Sequence, residues 1–496
     1  MRTFEIIAIT ALLILSWASV IFRINRPYRW LITLPAITAI VLVVQLVFEK
    51  FYWQMLPIYA FALLVLIISL IQFFGKNQAV KLKIGIRILR VVGIILASLV
   101  LVIALALPYL FPAFSLPQPT GNYTIGTTTF EWVDDDRPET ITTDPNDYRD
   151  LIVQAWYPAD GKGREVPVPL WPDKFGPHFA KVNYMPEFVF GHMSRIPTHT
   201  YADLPLSGSQ SAFPVIIYSH AYIPGFIGQN TAQMEELASH GYVVFSIAHP
   251  YESSAVIYPD SRIATVDDAR FLSIQNELKI STAILKKYLP ETDPIVKEDL
   301  YRQFLSGMSV TTESMVIWSQ DTIFVMDQLE KLNRGEISSP FSGNLDLERI
   351  GLFGQSLGGA TSANVCMNDQ RCKAGANMDG IQLGGVIDGA ITKPFLLMDS
   401  EANSGMNDIL FDRFQNDLYR LIIKGSTHFN YTDFPLMTPL FKMIKVAGSI
   451  DPYRMESIIN SYLVGFFDTY LNGEKSPLFE GPSQSFPEVE FYSQMH

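Results

Sequence analysis

The stretch GLFGQSLGGA, residues 351–360, places one serine among four glycines. It begins inside the apolar run RIGLF, residues 349–353. Gly354, Ser356 and Gly358 match the pattern G-x-S-x-G. A strand before this pattern and a helix of small residues after it predict a tight turn that holds the serine in strained backbone geometry. Glycines two residues before and after the serine allow the strand and the helix to approach closely. We therefore predict that Ser356 is a nucleophile.

A serine hydroxyl becomes a nucleophile when a histidine accepts its proton and an acid orients that histidine. Where the serine follows a strand in such a turn, the chain order is Ser, then Asp or Glu, then His. Two histidines follow Ser356: His428, after the apolar stretch YRLIIKG, and the terminal His496. A loop after a strand suits catalysis, whereas a chain terminus is commonly mobile. His428 is therefore the predicted base.

Two aspartates compete for the orienting role. Asp379 ends AGANMD, the first predicted strand after the helix that follows the serine, and Asp399 ends FLLMD, the next strand. Both strand ends suit the role, and position alone slightly favours Asp399. Glu401 is a weaker third candidate.

Residues 113–496 alternate between short apolar strands and helical stretches. The predicted strands include FPVIIYSH, GYVVFSIAHP, RIGLFGQS, AGANMD, KPFLLMDSE and YRLIIKGSTH, and the predicted helices include TAQMEELASH, SQDTIFVMDQLEKLNR and GATSANVCMN. This order predicts an α/β domain with a mostly parallel sheet. Two further strands, NYTIGTTTFEWV and LIVQAWYP, precede it, and we interpret the acidic triplet at 134–136 as a solvated turn between them.

Residues 1–112 form a separate region with four apolar runs. They are FEIIAITALLILSWASVIF, WLITLPAITAIVLVVQLVF, FYWQMLPIYAFALLVLIISLIQFF and VVGIILASLVLVIALALPYLF. Each is long enough to cross a hydrocarbon core of about 30 Å. A cleavable signal peptide would account for the first run but not for the other three. The sequence thus predicts an all-α membrane domain with four transmembrane helices, serving as an anchor, followed by the α/β domain at 113–496.

The charges of the two regions differ in sign. Residues 1–112 contain ten Lys and Arg and two acidic residues, and subtracting these from the chain totals of 37 and 49 leaves 27 basic and 47 acidic residues. The α/β domain therefore has a net charge of −20, which disfavours a nucleic-acid partner. In the membrane region the basic residues concentrate in the first and third loops, which are predicted to be cytoplasmic. Both termini and the α/β domain are then predicted to be extracytoplasmic.

The chain has two cysteines, Cys366 and Cys372. They do not supply enough ligands for a structural zinc site, and no CxxC redox pair is present. A single disulfide in an oxidising compartment and two buried thiols both remain open.

Several motifs, in order, resemble one family. SHAY, LASHGYVVFSIAHPYESSA, SQDTIFVMDQLEKLN, LDLERIGLFGQSLGGAT, DQRCKAGANMDG and GSTHFNYTDF follow one another as in the secreted and type II platelet-activating-factor acetylhydrolases. The resemblance covers about residues 118–470. It implies an α/β-hydrolase fold and a serine-dependent, calcium-independent phospholipase A2 activity without metal or organic cofactor. The four apolar runs are not part of the family pattern.

The resemblance also implies roles for individual residues. Ser356 is the implied nucleophile and His428 the implied base, and the implied acid falls on Asp379 instead of Asp399. The implied oxyanion donors are the backbone N–H groups of Leu357 and Tyr222. The chain departs from the family at two places: Gln355 stands where the family usually has histidine, and SHAYIPG replaces an SHGLG-like turn.

These observations predict a membrane-tethered serine ester hydrolase with Ser356, His428 and Asp379 as its triad. Short-chain or oxidised phospholipids and the membrane are the predicted partners. A carboxylesterase or polyester hydrolase acting on non-lipid esters is an alternative. A catalytically silent hydrolase-fold binding module is another, although an intact Ser, Asp and His disfavours it.

Overall fold

Four helices contain the apolar runs of the first 111 residues in this computed structural model, which describes residues 2–21, 30–74, 84–161 and 166–495. They are α1 (Thr3–Ile21), α2 (Trp30–Glu49), α3 (Leu56–Phe74) and α4 (Ile84–Leu110). Apolar side chains of all four helices are exposed, for example Ile14, Phe48, Phe74 and Leu96.

Within the described residues, one of the predicted transmembrane spans forms a helix that is long and apolar enough to cross a membrane. It is Trp53–Ile71, with a mean hydropathy of 2.3, and the other apolar helical stretches, Thr3–Ile14, Thr33–Glu49 and Ile95–Leu110, are shorter. The prediction of four spans is therefore supported for one. Most of the loop residues used for the predicted orientation, Arg23, Arg26, Arg29, Lys76, Lys81 and Lys83, lie outside the described residues, as does His496. Arg87 and Arg90, predicted to belong to the third loop, lie within α4 instead.

The chain divides into two compact units. The first contains the residues up to Phe114 together with Met437–Leu440, and the second contains Ser115–Leu436 and the residues from Phe441 onward. The boundary predicted from the sequence follows residue 112.

A ten-stranded sheet forms the centre of the second unit. Its strands are β1 (Thr124–Pro138), β2 (Tyr148–Ala159), β3 (Thr200–Ala202), β4 (Phe213–Ser219), β5 (Val243–Ala248), β8 (Leu345–Gln355), β9 (Cys372–Met378), β10 (Phe395–Ser400), β11 (Leu418–Ile423) and β12 (Val489–Gln494), while β6 (Ala255–Ile257) and β7 (Ile263–Thr265) form a separate hairpin. The order in the sheet is β12-β11-β10-β9-β8-β4-β5-β2-β1-β3. The six central strands from β5 to β11 are parallel, whereas β2 and β12 pair antiparallel with the edges of this block. The predicted mostly parallel sheet is confirmed.

Helices α9 (Ser309–Asn333) and α10 (Leu357–Asn368) pack on one face of the sheet, and α6 (Thr231–Ser239) and α13 (Pro452–Phe467) on the other. The remaining helices after α4 are α5 (Phe175–Val182), α7 (Asp268–Tyr288), α8 (Pro294–Ser306), α11 (Phe434–Met437) and α12 (Leu440–Met443). Alternate residues of β4 enter opposite apolar cores: Ile217 lies in the core with α9 and α10, and Ile216 in the core with α6 and α13. Every residue of β4, β5, β10 and β11 is buried, which explains why these strands are continuous apolar runs.

The strand β1 is longer than predicted. The interpretation of the acidic triplet 134–136 as a turn is wrong, because these residues lie within β1 and the chain turns only after Pro138. Asp134 still pairs with Arg149 of β2, and its carboxylate accepts a hydrogen bond from Arg137 Nε at 3.0 Å. Asp135 and Asp136 are exposed, so their charges remain solvated in an extended strand.

The structure decides the state of the two cysteines: Cys366 at the end of α10 and Cys372 at the start of β9 form a disulfide. It also shows that the aromatic segment 174–193 packs as a layer, because Phe175, Phe179 and Phe190 are buried around Trp171.

Candidate active site

Ser356 lies between the end of β8 and the start of α10. Its backbone has φ 58° and ψ −118°, a strained conformation for a residue with a side chain. A Cβ atom at Gly358 would lie 2.0 Å from the Ser219 carbonyl oxygen, and one at Gly354 would lie 2.2 Å from the Gly358 carbonyl carbon. The glycines on either side of Ser356 are therefore required by the close approach of α10, β4 and β8.

Asp379 follows β9 in a second turn with positive φ, 57°. The side chain of Asn377 closes this turn, since its Oδ1 accepts from Gly380 N at 2.7 Å and its Nδ2 donates to Gly380 O at 2.8 Å. The serine turn touches the same side chain: a Cβ at Gly359 would lie 2.0 Å from Asn377 Oδ1. Ser356 N in turn donates to Met378 O at 2.9 Å. The two turns are thus packed together.

His428 begins a short helical turn after β11. Thr427 and Asn430 form a capping box around the start of this turn, which fixes the backbone of His428. The imidazole Nδ1 lies 2.8 Å from Asp379 Oδ2. The sequence-predicted acid and base are therefore in contact.

The Asp379 carboxylate accepts further hydrogen bonds. Ser400 N donates to Oδ1 at 2.6 Å, and Ser400 Oγ and Asn403 Nδ2 donate to Oδ2 at 3.0 and 2.6 Å. A carboxylate surrounded by donors is held in one orientation and acts as an acceptor for His428 Nδ1–H.

The competing aspartate has a different partner. Asp399 Oδ2 accepts from Arg420 Nε at 2.7 Å, and Arg420 also pairs with Asp408. Burial raises the pKa of Asp399 to about 7, while Arg420 opposes that increase. The carboxylate of Glu401 accepts from Gly425 N at 2.7 Å and caps a loop. Of the three acids considered, Asp379 is therefore the one that contacts His428.

The two implied oxyanion donors line one cavity with Ser356 and His428. Leu357 is the first residue of α10, so its N–H has no carbonyl within the helix to bond. Tyr222 lies in the turn after β4, where its carbonyl accepts from Gly225 N at 2.9 Å. This arrangement fits two N–H donors at the mouth of the serine turn.

The cavity has a volume of about 220 Å³. Its apolar wall includes Ile274, Leu278, Met308, Leu383, Phe429 and Phe434. Among the described residues that line it, no side chain is an Asp, Glu, Lys or Arg. The cavity therefore suits an uncharged, mostly apolar group.

Part of this wall was missed by the sequence analysis. Ile274 and Leu278 belong to α7, and α9 begins at Ser309, ten residues before the predicted helix. The start of α7 carries a signal that was available, because the Asp267 side chain accepts from Arg270 N as an N-cap. Asp293 followed by Pro294 marks the start of α8 in the same way.

His220 and His249 lie behind the turn that carries Tyr222. His249 stacks on Trp318 with ring centres 4.0 Å apart, and its Nδ1 lies 2.8 Å from Asp321 Oδ2. Burial lowers the pKa of His220 well below its ordinary value. Both rings are fully buried, and their contacts are those of packing and hydrogen-bonding residues.

Comparison with known proteins identifies relatives of the second unit. The sequence model of the family "Platelet-activating factor acetylhydrolase, isoform II" matches residues 110–477. The platelet-activating factor acetylhydrolase of Cavia porcellus is 26% identical over 273 residues, covering 53% of this chain and 59% of that protein. A "Probable 1-alkyl-2-acetylglycerophosphocholine esterase" of Arthroderma benhamiae is 24% identical over 419 residues, covering 76% and 94%. The chain thus spans about three fifths of the first relative and nearly all of the second.

A solved structure shares the fold. The ferulic acid esterase from Streptomyces cinnamoneus aligns with a TM-score of 0.59 and 23% identity, over 76% of this chain and 99% of that one. At this identity the likeness concerns the fold alone.

Proposed function

The chain belongs to the platelet-activating factor acetylhydrolase family, isoform II, and from this membership we propose that it is a serine-dependent carboxylic ester hydrolase. The observation that carries the proposal is the contact between Asp379 and His428, 2.8 Å apart, together with the cavity that His428 lines along with Ser356 on its strained turn. Those three residue types, in that chain order and on those strand ends, suit acyl transfer.

In the proposed acylation step, Ser356 Oγ attacks the ester carbonyl carbon. His428 Nε2 accepts the serine proton, and Asp379 stabilises the imidazolium through Nδ1–H. The N–H groups of Leu357 and Tyr222 donate to the oxyanion that develops on the carbonyl oxygen. His428 then gives the proton to the leaving alkoxide, so the alcohol departs and the acyl group stays on Ser356.

The acyl-enzyme is resolved by water. His428 Nε2 removes a proton from the water molecule, whose oxygen attacks the acyl carbon. The proton returns to Ser356 Oγ as the carboxylic acid leaves. The mechanism uses only side chains and backbone N–H groups of this chain.

Short-chain or oxidised acyl groups of phospholipids are the proposed substrates. A cavity of about 220 Å³ is smaller than the roughly 300–1,000 Å³ of pockets for drug-sized ligands, so it accommodates a short acyl group. A second candidate, hydrolysis of neutral non-lipid esters, is favoured by the lack of charged side chains among the described lining residues. Such a wall offers no direct partner for a charged headgroup inside the cavity.

Fluorophosphonate labelling and an acyl-chain series test this proposal. We expect the probe to label the folded protein once, and hydrolysis rates to fall as the acyl chain of matched p-nitrophenyl esters and 2-acyl phospholipids lengthens beyond the cavity. Equal preference for p-nitrophenyl acetate and an acetylated phospholipid would support the non-lipid candidate. A folded protein that the probe does not label would contradict the enzyme proposal and favour a catalytically silent binding module.

We further propose that the first unit tethers the enzyme to a membrane, with the catalytic unit on the extracytoplasmic side. Apolar side chains exposed on all four helices support this, since isolated soluble units rarely expose so many; Phe48 and Phe74 are 73% and 77% exposed. The basic loops of the sequence support the orientation. So does the disulfide between Cys366 and Cys372, because disulfides persist in oxidising compartments.

Protease accessibility in cells that express the full chain tests the location. We expect the protein to stay with the membrane after a carbonate wash, and external protease to degrade the catalytic unit in intact cells but not in sealed inside-out vesicles. Release by carbonate would contradict the tether. Protection in intact cells, together with digestion in inside-out vesicles, would reverse the orientation.

A further inference from the structure

Gln355, directly before the proposed nucleophile, contacts His428 at two points. The amide nitrogen of Gln355 lies 3.2 Å from His428 Nε2 and 3.4 Å from the His428 carbonyl oxygen. The side chain is only 1% exposed, so these contacts are shielded from bulk water. One amide thus contacts both the ring and the main chain of the proposed base.

The direction of these hydrogen bonds follows from a backbone N–H. Ala221 N donates to Gln229 Oε1 at 3.1 Å, and a peptide N–H can only donate. Gln229 Nε2 therefore donates, at 3.1 Å each, to Asn230 Oδ1 and to Gln355 Oε1. With its oxygen occupied, Gln355 presents its NH₂ group to His428. The orientation of both amides is thus set by the chain of partners.

The contact of His428 Nδ1 also indicates that Gln355 donates to Nε2. His428 Nδ1 faces a carboxylate that only accepts, so Nδ1 carries the hydrogen. Nε2 of the neutral ring is then an acceptor, and Gln355 is the donor that faces it. Both ring nitrogens have complementary partners in one tautomer only, the tautomer that a general base at Ser356 requires.

We propose that Gln355 is a positioning residue for the catalytic base, an inference that rests on the proposed function. Its amide nitrogen contacts both the ring Nε2 and the carbonyl oxygen of His428, so it fixes the tautomer and the rotation of the resting imidazole. The His428 side chain is 37% exposed. Among the described residues, its ring nitrogens are held by Asp379 at Nδ1 and by Gln355 at Nε2. During proton transfer Nε2 takes the Ser356 hydrogen in place of the Gln355 hydrogen, while the contact of Gln355 with the His428 carbonyl oxygen persists and keeps the ring in register with the serine.

The same chain of hydrogen bonds reaches the oxyanion side of the cavity. Ala221, where it starts, directly precedes Tyr222, whose N–H is a proposed oxyanion donor. Gln229 is fully buried and joins this turn to Gln355. Gln355 therefore aligns the base relative to both the nucleophile and one oxyanion donor.

Two substitutions at this position separate a positioning role from simple packing. In Gln355→Met, which keeps the volume and removes the donor, we expect kcat to fall about tenfold with KM within about twofold, because the hydrogen bond to the His428 carbonyl oxygen, which persists through proton transfer, is lost. In Gln355→Glu, a carboxylate that cannot donate faces Nε2, and we expect kcat to fall about 100-fold. The matched control is Gln382→Met, since Gln382 is equally buried and its side-chain amide has no hydrogen-bond partner among the described residues. It should retain wild-type kcat.

A spectroscopic measurement completes the test. In protein labelled with ¹⁵N-histidine, the His428 Nε2 resonance of Gln355→Met should move toward that of an imine nitrogen without a hydrogen bond, while Gln382→Met leaves it unchanged. Unchanged kcat and an unchanged resonance in both Gln355 variants would overturn the proposal. If the wild type neither hydrolyses esters nor reacts with fluorophosphonate, the proposed function fails. The resonance still decides whether Gln355 holds the ring, and if one Gln355 variant does not fold, the other supplies the measurement.

Discussion

Replacement of Ser356 by alanine is expected to lower kcat by about 10⁴- to 10⁶-fold, the range found when the nucleophile of a serine triad is removed. The reason is that alanine offers no oxygen to form the acyl-enzyme, while the cavity and the N–H groups of Leu357 and Tyr222 remain. Alanine must adopt the same positive φ, so the melting temperature should stay close to that of the wild type. Initial rates of p-nitrophenyl acetate hydrolysis and fluorophosphonate labelling measure the effect.

A matched serine in the same helix provides the control. Ser362 is buried in α10, where its hydroxyl donates to the Gly358 carbonyl at 3.0 Å, and it does not line the cavity. Ser362→Ala should retain labelling and activity. Wild-type activity in folded Ser356→Ala would contradict the mechanism and require another nucleophile.

The substitution Asp379→Asn is expected to lower kcat by about 10⁴-fold, as loss of the orienting carboxylate does in serine triads. An asparagine amide can present its NH₂ group to His428 Nδ1, which favours the tautomer with hydrogen on Nε2 and removes the base. Asparagine tolerates the positive φ of this turn, so the backbone should be preserved. Steady-state kinetics on protein shown to be folded by circular dichroism measure the loss.

The parallel change at the competing acid should have the opposite profile. Asp399→Asn leaves Arg420 with Asp408 as its remaining carboxylate partner. Because burial raises the pKa of Asp399, removing its charge relieves a desolvation cost that offsets the lost ion pair, and we expect little net change in the free energy of unfolding, with kcat of the folded protein near wild type. Loss of activity at Asp399 with retention at Asp379 would reverse the assignment of the acid.

The sheet and the serine turn were predictable because their determinants are local. Glycines flanking Ser356 and continuous apolar strands such as Phe213–Ser219 encode their own conformation and burial. Position along the chain could not choose between Asp379 and Asp399, since both end neighbouring parallel strands. Asp399 contacts Arg420 and Asp379 contacts His428, and strand position does not reveal either contact. Only the family resemblance favoured Asp379.

Other features depend on contacts between residues far apart in sequence. Gln355 was noted only as a departure from a family pattern, and its proposed role depends on Gln229, 126 residues earlier, which fixes its orientation. The wall formed by α7 had a capping signal in Asp267, but a mixed polar and apolar helix does not reveal that Ile274 and Leu278 face a cavity. Asp134 was misassigned for a related reason. Its charge suggested a turn, whereas its pairing with β2 makes it part of the strand.

The packing of Asn377 between the serine turn and the acid turn has a consequence for motion. Its amide closes the turn at Asp379 and fills the space that Gly359 leaves in the serine turn. Neither turn can open without disturbing the other, so the two behave as one cooperative unit of local unfolding. Fluctuations that would move Ser356 alone are suppressed, and Ser356 and Asp379 are either both in place or both displaced.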